Sequence, residues 1–142
     1  MSYAEKTSVP IDRSQSEVRK ILSKYGASGF AYAEALDVSM VMFEMKGRRI
    51  KFILPMPKRP SPNATQSSIK TYEQLCRSRW RSLVLAIKAK LECVDSGIAT
   101  LEQEFMAHIV LPNGATLGQV ILPQIDQSYK DGKMPPLLGY DK

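Results

Sequence analysis

The stretch "VSMVMFEMKGRRIKFILP", residues 38–55, decides the fold that the sequence predicts. Two runs rich in β-branched and aromatic residues flank Lys46–Gly47, a dipeptide suited to a two-residue hairpin turn. Such a turn makes the residue numbers of every cross-strand pair add to 93. Phe43 then faces Ile50 on one side of the hairpin, together with the other large apolar side chains. That side is the predicted core face of an antiparallel sheet.

The opposite side of the hairpin becomes basic toward the turn. In the same register Glu44 faces Arg49 and Met42 faces Lys51, while Arg48 lies near the tip. The hairpin therefore predicts exposed cations at one end of the sheet.

Helical and strand patterns precede the hairpin. Residues 12–27 predict a short helix, with Ser14 as N-cap and Glu17 completing a capping box. Gly26 occupies the position where a left-handed residue ends a helix. The run "GFAYAEA", residues 29–35, predicts a weaker first strand of a three-stranded meander.

The longest predicted element is a helix from about Ser68 to Asp95, after a proline-rich loop at residues 55–68. Trp80 is the predicted anchor of its apolar face. The other members of this core stripe are Ile69, Tyr72, Cys76, Leu83, Val84, Ile87, Leu91 and Val94.

Two further helices are predicted near the C-terminus. Residues 100–111 predict a helix with Thr100 as N-cap, and residues 117–132 a short helix with a break near Pro123. The coarse order is α-β-β-β-α-α-α, an α+β class in which helices pack on one face of a small antiparallel sheet.

The predicted domain organisation is simple. A flexible arm at residues 1–10 precedes one α+β domain at residues 11–132, and an extended tail occupies residues 133–142. The longest apolar runs are too short to span a bilayer, so no membrane association is expected.

The charge is distributed unevenly along the chain. Residues 46–90 contain 12 lysines and arginines against one acid, Glu73, whereas the whole chain has a net charge of only +6. Residues 91–142 contain three basic and seven acidic residues. A strongly basic segment favours a polyanionic partner such as nucleic acid. In the alternative interpretation, the fold brings the basic and acidic segments together and neutralises much of the charge.

Nine basic residues form the predicted phosphate-binding set. One flank of the long helix carries four of them over about 27 Å, spaced 7, 4 and 7 residues apart: Lys70, Arg77, Arg81 and Lys88. Because these four lie off the core stripe, replacing Arg77 and Arg81 by glutamate is expected to remove binding and spare the fold. The full set is Arg48, Arg49, Lys51, Lys58, Arg59, Lys70, Arg77, Arg81 and Lys88.

Single reactive residues give no pattern for catalysis. His108, the only histidine, has no triad or metal-pair partner nearby in sequence and predicts a structural or surface role. Cys76 lies on the core stripe, where a cysteine behaves as a small apolar residue. Cys93 lies about 25 Å away along the same helix, so both thiols are expected to be reduced.

A metal or phosphate-loop site is not predicted either. Glu102, Glu104 and Asp126 could in principle hold a hard cation, but Glu102 and Glu104 are two positions apart and diverge on a helix. The stretches "GASG", residues 26–29, and "GRR", residues 47–49, lack the spacing or the strand-turn-helix context of a phosphate-binding loop. No catalytic residue, cofactor or metal is therefore expected, and an enzyme is the weakest hypothesis.

Several stretches together resemble a family of small proteins encoded by bacteriophages and prophages. They are "PIDRSQSEVRKILSKYGASGFAY", "VMFEMKGRRIKFILPMP", "CRSRWRSLVLAIKAKLE", "EQEFMAHIVLPNGATLG" and "MPPLL", and the resemblance spans nearly the whole chain. It implies the cytosol of a bacterial host and a role in phage genome metabolism or manipulation of the host. It assigns no functional residues.

Two functional hypotheses follow. The first is a non-enzymatic nucleic-acid-binding protein that serves phage replication, recombination or regulation. The second is a protein-binding module, such as an inhibitor of a host enzyme or defence complex, in which Pro135, Leu137 and Leu138 of the tail dock in a groove. The type of nucleic acid stays open, and so does self-association into a homo-oligomer.

Overall fold

The computed structural model describes residues 4–134 and shows an α+β fold with the predicted order of elements. The three strands form one antiparallel sheet in the order β1-β2-β3. A single turn of 3-10 helix at Met106–His108 follows the third α-helix. The elements are α1 Ile11–Lys24, β1 Gly29–Glu34, β2 Val38–Met45, β3 Arg48–Pro55, α2 Gln66–Asp95, α3 Leu101–Phe105 and α4 Leu117–Asp131.

The β2–β3 hairpin has the predicted register. Its pairs run from Val38 opposite Pro55 to Met45 opposite Arg48, so the residue numbers of every pair add to 93. Lys46 and Gly47 both have positive φ, 50° and 75°, which is the backbone of a tight two-residue turn. The prediction for this hairpin is confirmed.

The core lies between one face of the sheet and the helices. Phe43 and Ile50 are buried on this inner face, and Trp80 of α2 is buried in the same cluster. Phe105 of α3 meets Phe43 and Phe52 edge-on, with ring centroids 5.8 and 6.0 Å apart. The helices thus cover the inner face, and the predicted core face and anchor residue are confirmed.

Helix α1 begins earlier than predicted. Its N-cap is Pro10, which provides extended backbone but no side-chain cap, and the first turn contains Asp12. Ser14 is therefore buried inside the helix and is not the N-cap, and Glu17 completes no capping box. The end of α1 is as predicted, since Gly26 has a φ of +93°.

The helix predicted over residues 100–111 is shorter in the structure. Thr100 caps α3 as predicted, but the helix ends at Phe105. Ile109 and Val110 are extended instead, and the Val110 N–H donates to the Arg49 carbonyl at 2.8 Å. These two residues lie against the outer edge of β3 because β3 offers backbone partners that local sequence patterns do not reveal.

Helix α4 continues through Pro123 without the predicted break. Pro123 removes one backbone hydrogen bond and its ring crowds the carbonyl four residues earlier, but helical turns on both sides maintain the element. Gly118 allows α4 to approach the 3-10 turn closely, because a Cβ there would lie 2.8 Å from the Ala107 carbonyl oxygen. The helix ends at Gly132, which has a φ of +68°.

The part of the predicted N-terminal arm that the structure describes is attached to the domain. Ala4 is buried, and the Gln74 amide donates to the carbonyl oxygens of Glu5 at 3.1 Å and Thr7 at 2.7 Å. In the predicted C-terminal tail, only residues 133 and 134 lie within the described range, so Pro135, Leu137 and Leu138 lie outside it.

Candidate nucleic-acid interface

The nine predicted cations lie in more than one part of the fold. Arg49 and Lys51 are on the outer face of the sheet, opposite Glu44 and Met42. Helix α2 packs on the inner face, so its basic flank belongs to the other layer of the domain. The hairpin and the helix flank therefore do not form one continuous surface.

The hairpin cations are engaged by neighbouring groups. Arg48 Nε lies 3.7 Å from a carboxylate oxygen of Glu102, and Arg49 Nη2 lies 3.4 Å from one of Glu44. Lys51 Nζ is 3.5 Å from the Gly114 carbonyl oxygen. The two ion pairs are exposed and of modest strength, but they reduce the charge that the hairpin offers to a polyanion. The neutral carbonyl leaves the charge of Lys51 in place.

Arg81 joins α2 to α1. Its guanidinium contacts both carboxylate oxygens of Glu17, and the side chains are 21% and 35% exposed. The helical periodicity places Arg81 off the core stripe, which predicts that replacing it by glutamate spares the fold. The ion pair makes a loss of stability the expected result instead, because a glutamate at position 81 would face Glu17 between the packed helices α1 and α2.

Lys70 and Lys88 are the exposed cations of the α2 flank. Within residues 4–134 neither lysine has a carboxylate within 4.0 Å, the limit for an ion pair. Arg77 lies between them and donates to the neutral amide oxygen of Gln74, at 2.6 Å from Nη2, so its charge is not cancelled. These residues present a line of positive charge along the helix.

Helix α1 adds two cations that the sequence analysis missed. Arg13 and Lys20 border a groove of about 630 Å³ with Arg81, alongside Asp12 and Glu17. More than 60 residues separate α1 cations from Arg81, so only the packing of α1 on α2 brings them together. We call the combined set the helical surface: Arg13, Lys20, Lys70, Arg77, Arg81 and Lys88.

The loop cations lie near the start of α2. Lys58 borders a shallow depression with Tyr72, and Arg59 borders a larger cleft of about 710 Å³. Three basic and three acidic side chains line that cleft, so it has no preference for an anion. Burial raises the pKa of the Cys76 thiol in its wall, which keeps the sulfur protonated and poorly nucleophilic. The charged lining residues are Lys6, Arg59, Arg77, Asp12, Glu34 and Glu73.

The fold neutralises part of the basic segment. Four of the 12 cations in residues 46–90 form ion pairs among the described residues, and every partner carboxylate comes from outside that segment. The pairs are Arg48–Glu102, Arg49–Glu44, Arg81–Glu17 and Lys90–Glu104. Among the cations of this segment without such a pair, three belong to the helical surface: Lys70, Arg77 and Lys88.

Glu102, Glu104 and Asp126 do not converge on one cation site, because each forms an ion pair with a different basic residue. Glu102 is near Arg48, Glu104 is 3.6 Å from Lys90 Nζ, and Asp126 is 3.1 Å from Lys130 Nζ. In the described part of the chain, no three His, Cys, Asp or Glu side chains are grouped so as to hold a metal ion.

His108 packs against the sheet. Its ring stacks on Phe52 with the centroids 3.9 Å apart. Burial lowers the pKa of His108, the charge of Lys90 lowers it further, and the Lys51 backbone acts in the opposite direction. The neutral imidazole is therefore the form that the folded protein prefers.

This lowered pKa predicts a pH-dependent stability. The unfolded chain, with the ordinary value of 6.5, binds a proton more readily than the folded protein. The contribution of His108 is thus complete above pH 6.5 and is lost as the pH falls through the lowered pKa. We expect the free energy of unfolding, measured with urea, to fall more steeply as the pH drops below 6.5 in the wild type than in His108→Phe. Equal slopes in the two proteins would contradict a lowered pKa of His108.

No protein-family model matches this chain, and no curated protein or solved structure is significantly similar to it. Among the described residues, no helix combines the length and apolar composition needed to cross a membrane.

Proposed function

We propose that this protein is a non-enzymatic nucleic-acid-binding accessory protein of phage origin, active in the cytosol of a bacterial host. The resemblance to phage and prophage proteins motivates the biological setting of replication, recombination or regulation. The helical surface supports the binding activity, and it takes the place of the single hairpin-and-helix surface expected from the sequence.

The observation that supports this function best is the exposed positive charge along α2. Lys70 and Lys88 are separated by 18 residues, about 27 Å at 1.5 Å per residue. The only acid within α2 before residue 92 is Glu73. Cations spaced along such a line can neutralise successive phosphates and release their counterions, which is the main source of sequence-independent affinity.

The neighbouring helix widens this line into a surface. Arg13 and Lys20 of α1 lie beside the Arg81–Glu17 pair, so phosphates that follow α2 would also meet cations on α1. Arg49 and Lys51 face away on the outer side of the sheet. They would contact only a second segment of the nucleic acid.

Charge reversal at two exposed lysines tests the proposal. In Lys70→Glu/Lys88→Glu, the loss of two phosphate contacts is expected to weaken binding on the order of 100-fold at about 50 mM salt. Fluorescence anisotropy of labelled single- and double-stranded DNA and RNA measures this effect. The matched control is Lys130→Glu/Lys133→Glu, which changes the net charge equally on α4 and just after it. Equal losses in the two variants would refute the helical surface as the binding site.

A second candidate function is supported by α4. Leu122, Ile125 and Tyr129 are 62%, 40% and 87% exposed, and their spacing of three and four residues places them on one face of the helix. An exposed apolar helix face next to the C-terminal tail favours a host protein that offers an apolar groove.

The α4 face distinguishes the two functions. We expect Leu122→Lys/Tyr129→Lys to keep nucleic-acid affinity if the helical surface is the functional site. If α4 binds a host protein, cross-linking of the wild type in bacterial lysate should yield one partner. Leu122→Lys/Tyr129→Lys should lose that partner, whereas Lys130→Glu/Lys133→Glu should retain it.

A further inference from the structure

Strand β1 forms an open edge of the sheet. The Ala35 N–H donates to the Val38 carbonyl at 2.8 Å, where the β1–β2 hairpin closes. Because hydrogen-bonded pairs alternate along an antiparallel ladder, Gly29, Ala31 and Ala33 direct their backbone groups toward β2. The N–H and C=O groups of the residues between them point away from the sheet. These outward-facing residues are Phe30, Tyr32 and Glu34.

The two edges of the sheet differ in protection. The β3 edge is covered in part by residues 109–110, and the Val110 N–H occupies the Arg49 carbonyl. No backbone or side-chain group of residues 4–134 makes such a bond to the outward groups of β1. Within Gly29–Glu34 the strand has no proline, lysine or bulge, which are common features that block an edge, and Glu34 is its only charged residue.

We infer that a second copy of this chain pairs with β1 in antiparallel orientation and extends the sheet to six strands. A two-fold axis beside Tyr32 would place that residue opposite the partner's Tyr32. Phe30 would then lie opposite the partner's Glu34, and Glu34 opposite the partner's Phe30. In this register all the outward N–H and C=O groups of the three residues find partners, giving six hydrogen bonds about the axis.

Side chains support the same register. The Arg19 guanidinium lies over the Phe30 ring, 5.6 Å from its centroid. The partner's Glu34 would come directly across from Phe30, where Cβ atoms of a cross-strand pair are about 5.5 Å apart. Its carboxylate would therefore reach Arg19, and the symmetry repeats this ion pair. Tyr32, 52% exposed in the single chain, would gain an aromatic neighbour. The inference is independent of the proposed function, since β1 and Arg19 lie outside the helical surface.

Sedimentation velocity with charge-reversed variants tests the pairing. We expect the wild type to form a dimer, and Arg19→Glu and Glu34→Arg each to weaken dimerisation roughly tenfold, because each variant creates two like-charge contacts. An equimolar mixture of the two variants should regain wild-type affinity, since both contacts in the mixed dimer then join opposite charges.

A separate variant tests the backbone bonds. Tyr32→Pro removes an N–H that faces away from β2, so β1 should keep its pairing with β2. We expect an unchanged circular dichroism spectrum and loss of the dimer. A wild-type protein that is monomeric at about 100 μM, far above the concentrations at which specific dimers form, would overturn the inference and leave the edge to an extended segment of another protein. Failure of the mixed variants to associate would overturn the register.

Discussion

Replacing Phe105 by alanine is expected to lower the free energy of unfolding by about 3–5 kcal/mol. Phe105 is fully buried at the junction of α3 with the sheet, where it meets Phe43 and Phe52 edge-on. Lys90 Nζ also lies 5.9 Å from the centre of its ring. Truncation would remove all of these contacts and leave a cavity that the flanking strands cannot close without losing their register.

Urea-induced unfolding measures this loss. Met106→Ala is the matched control, because the adjacent side chain is half-exposed and its removal should cost within about 0.5 kcal/mol. A loss below about 1 kcal/mol for Phe105→Ala would contradict the position of α3 in the core.

Reversal of Arg81 is expected to have the second largest effect on stability. Arg81→Glu would place two carboxylates together at the partly buried contact between α1 and α2. Removing one partner of a fully buried pair costs about 3–5 kcal/mol, and the partial exposure here reduces the expected loss to about 2 kcal/mol. This loss would also confound any binding test that uses Arg81→Glu.

The exchanged pair tests this contact. We expect Glu17→Arg to be destabilising as well, and Glu17→Arg/Arg81→Glu to recover more than half of the stability lost by Arg81→Glu. Urea unfolding of the four proteins gives the coupling energy of a double-mutant cycle. Additive losses would show that the two side chains do not interact in solution.

The parts of the fold that could be predicted from sequence depend on local patterns. Lys46–Gly47 determines a turn and hence a register, so the inner face of the hairpin followed from the alternation of Phe43 and its neighbours. Likewise, the periodicity around Trp80 revealed the buried face of α2 from residues within one element.

The remaining features depend on contacts between distant segments. Ser14 resembles an N-cap locally, yet Pro10 begins the helix and packing buries the serine. Ile109 continues a helical pattern but pairs with Ile50 of β3. The Arg81–Glu17 pair joins two elements far apart in sequence, and no periodicity within either helix indicates it.

The candidate site was predictable in kind but not in shape. The excess of cations in residues 46–90 is visible in the sequence, whereas their distribution over two layers is not. Arg13 and Lys20 lie in a segment with little net charge, so only the packing of α1 beside Arg81 makes them part of the surface.

The salt dependence of nucleic-acid binding by the wild type tests the proposed function most directly. Anisotropy titrations of labelled DNA and RNA between about 50 and 200 mM salt would give the slope of log K against log salt concentration. The helical surface without the paired Arg81 has five cations: Arg13, Lys20, Lys70, Arg77 and Lys88. Their engagement predicts a slope of about −4.5 for duplex DNA, since each phosphate contact contributes about −0.9. No binding at about 50 mM salt, or an affinity that does not change with salt, would contradict the account.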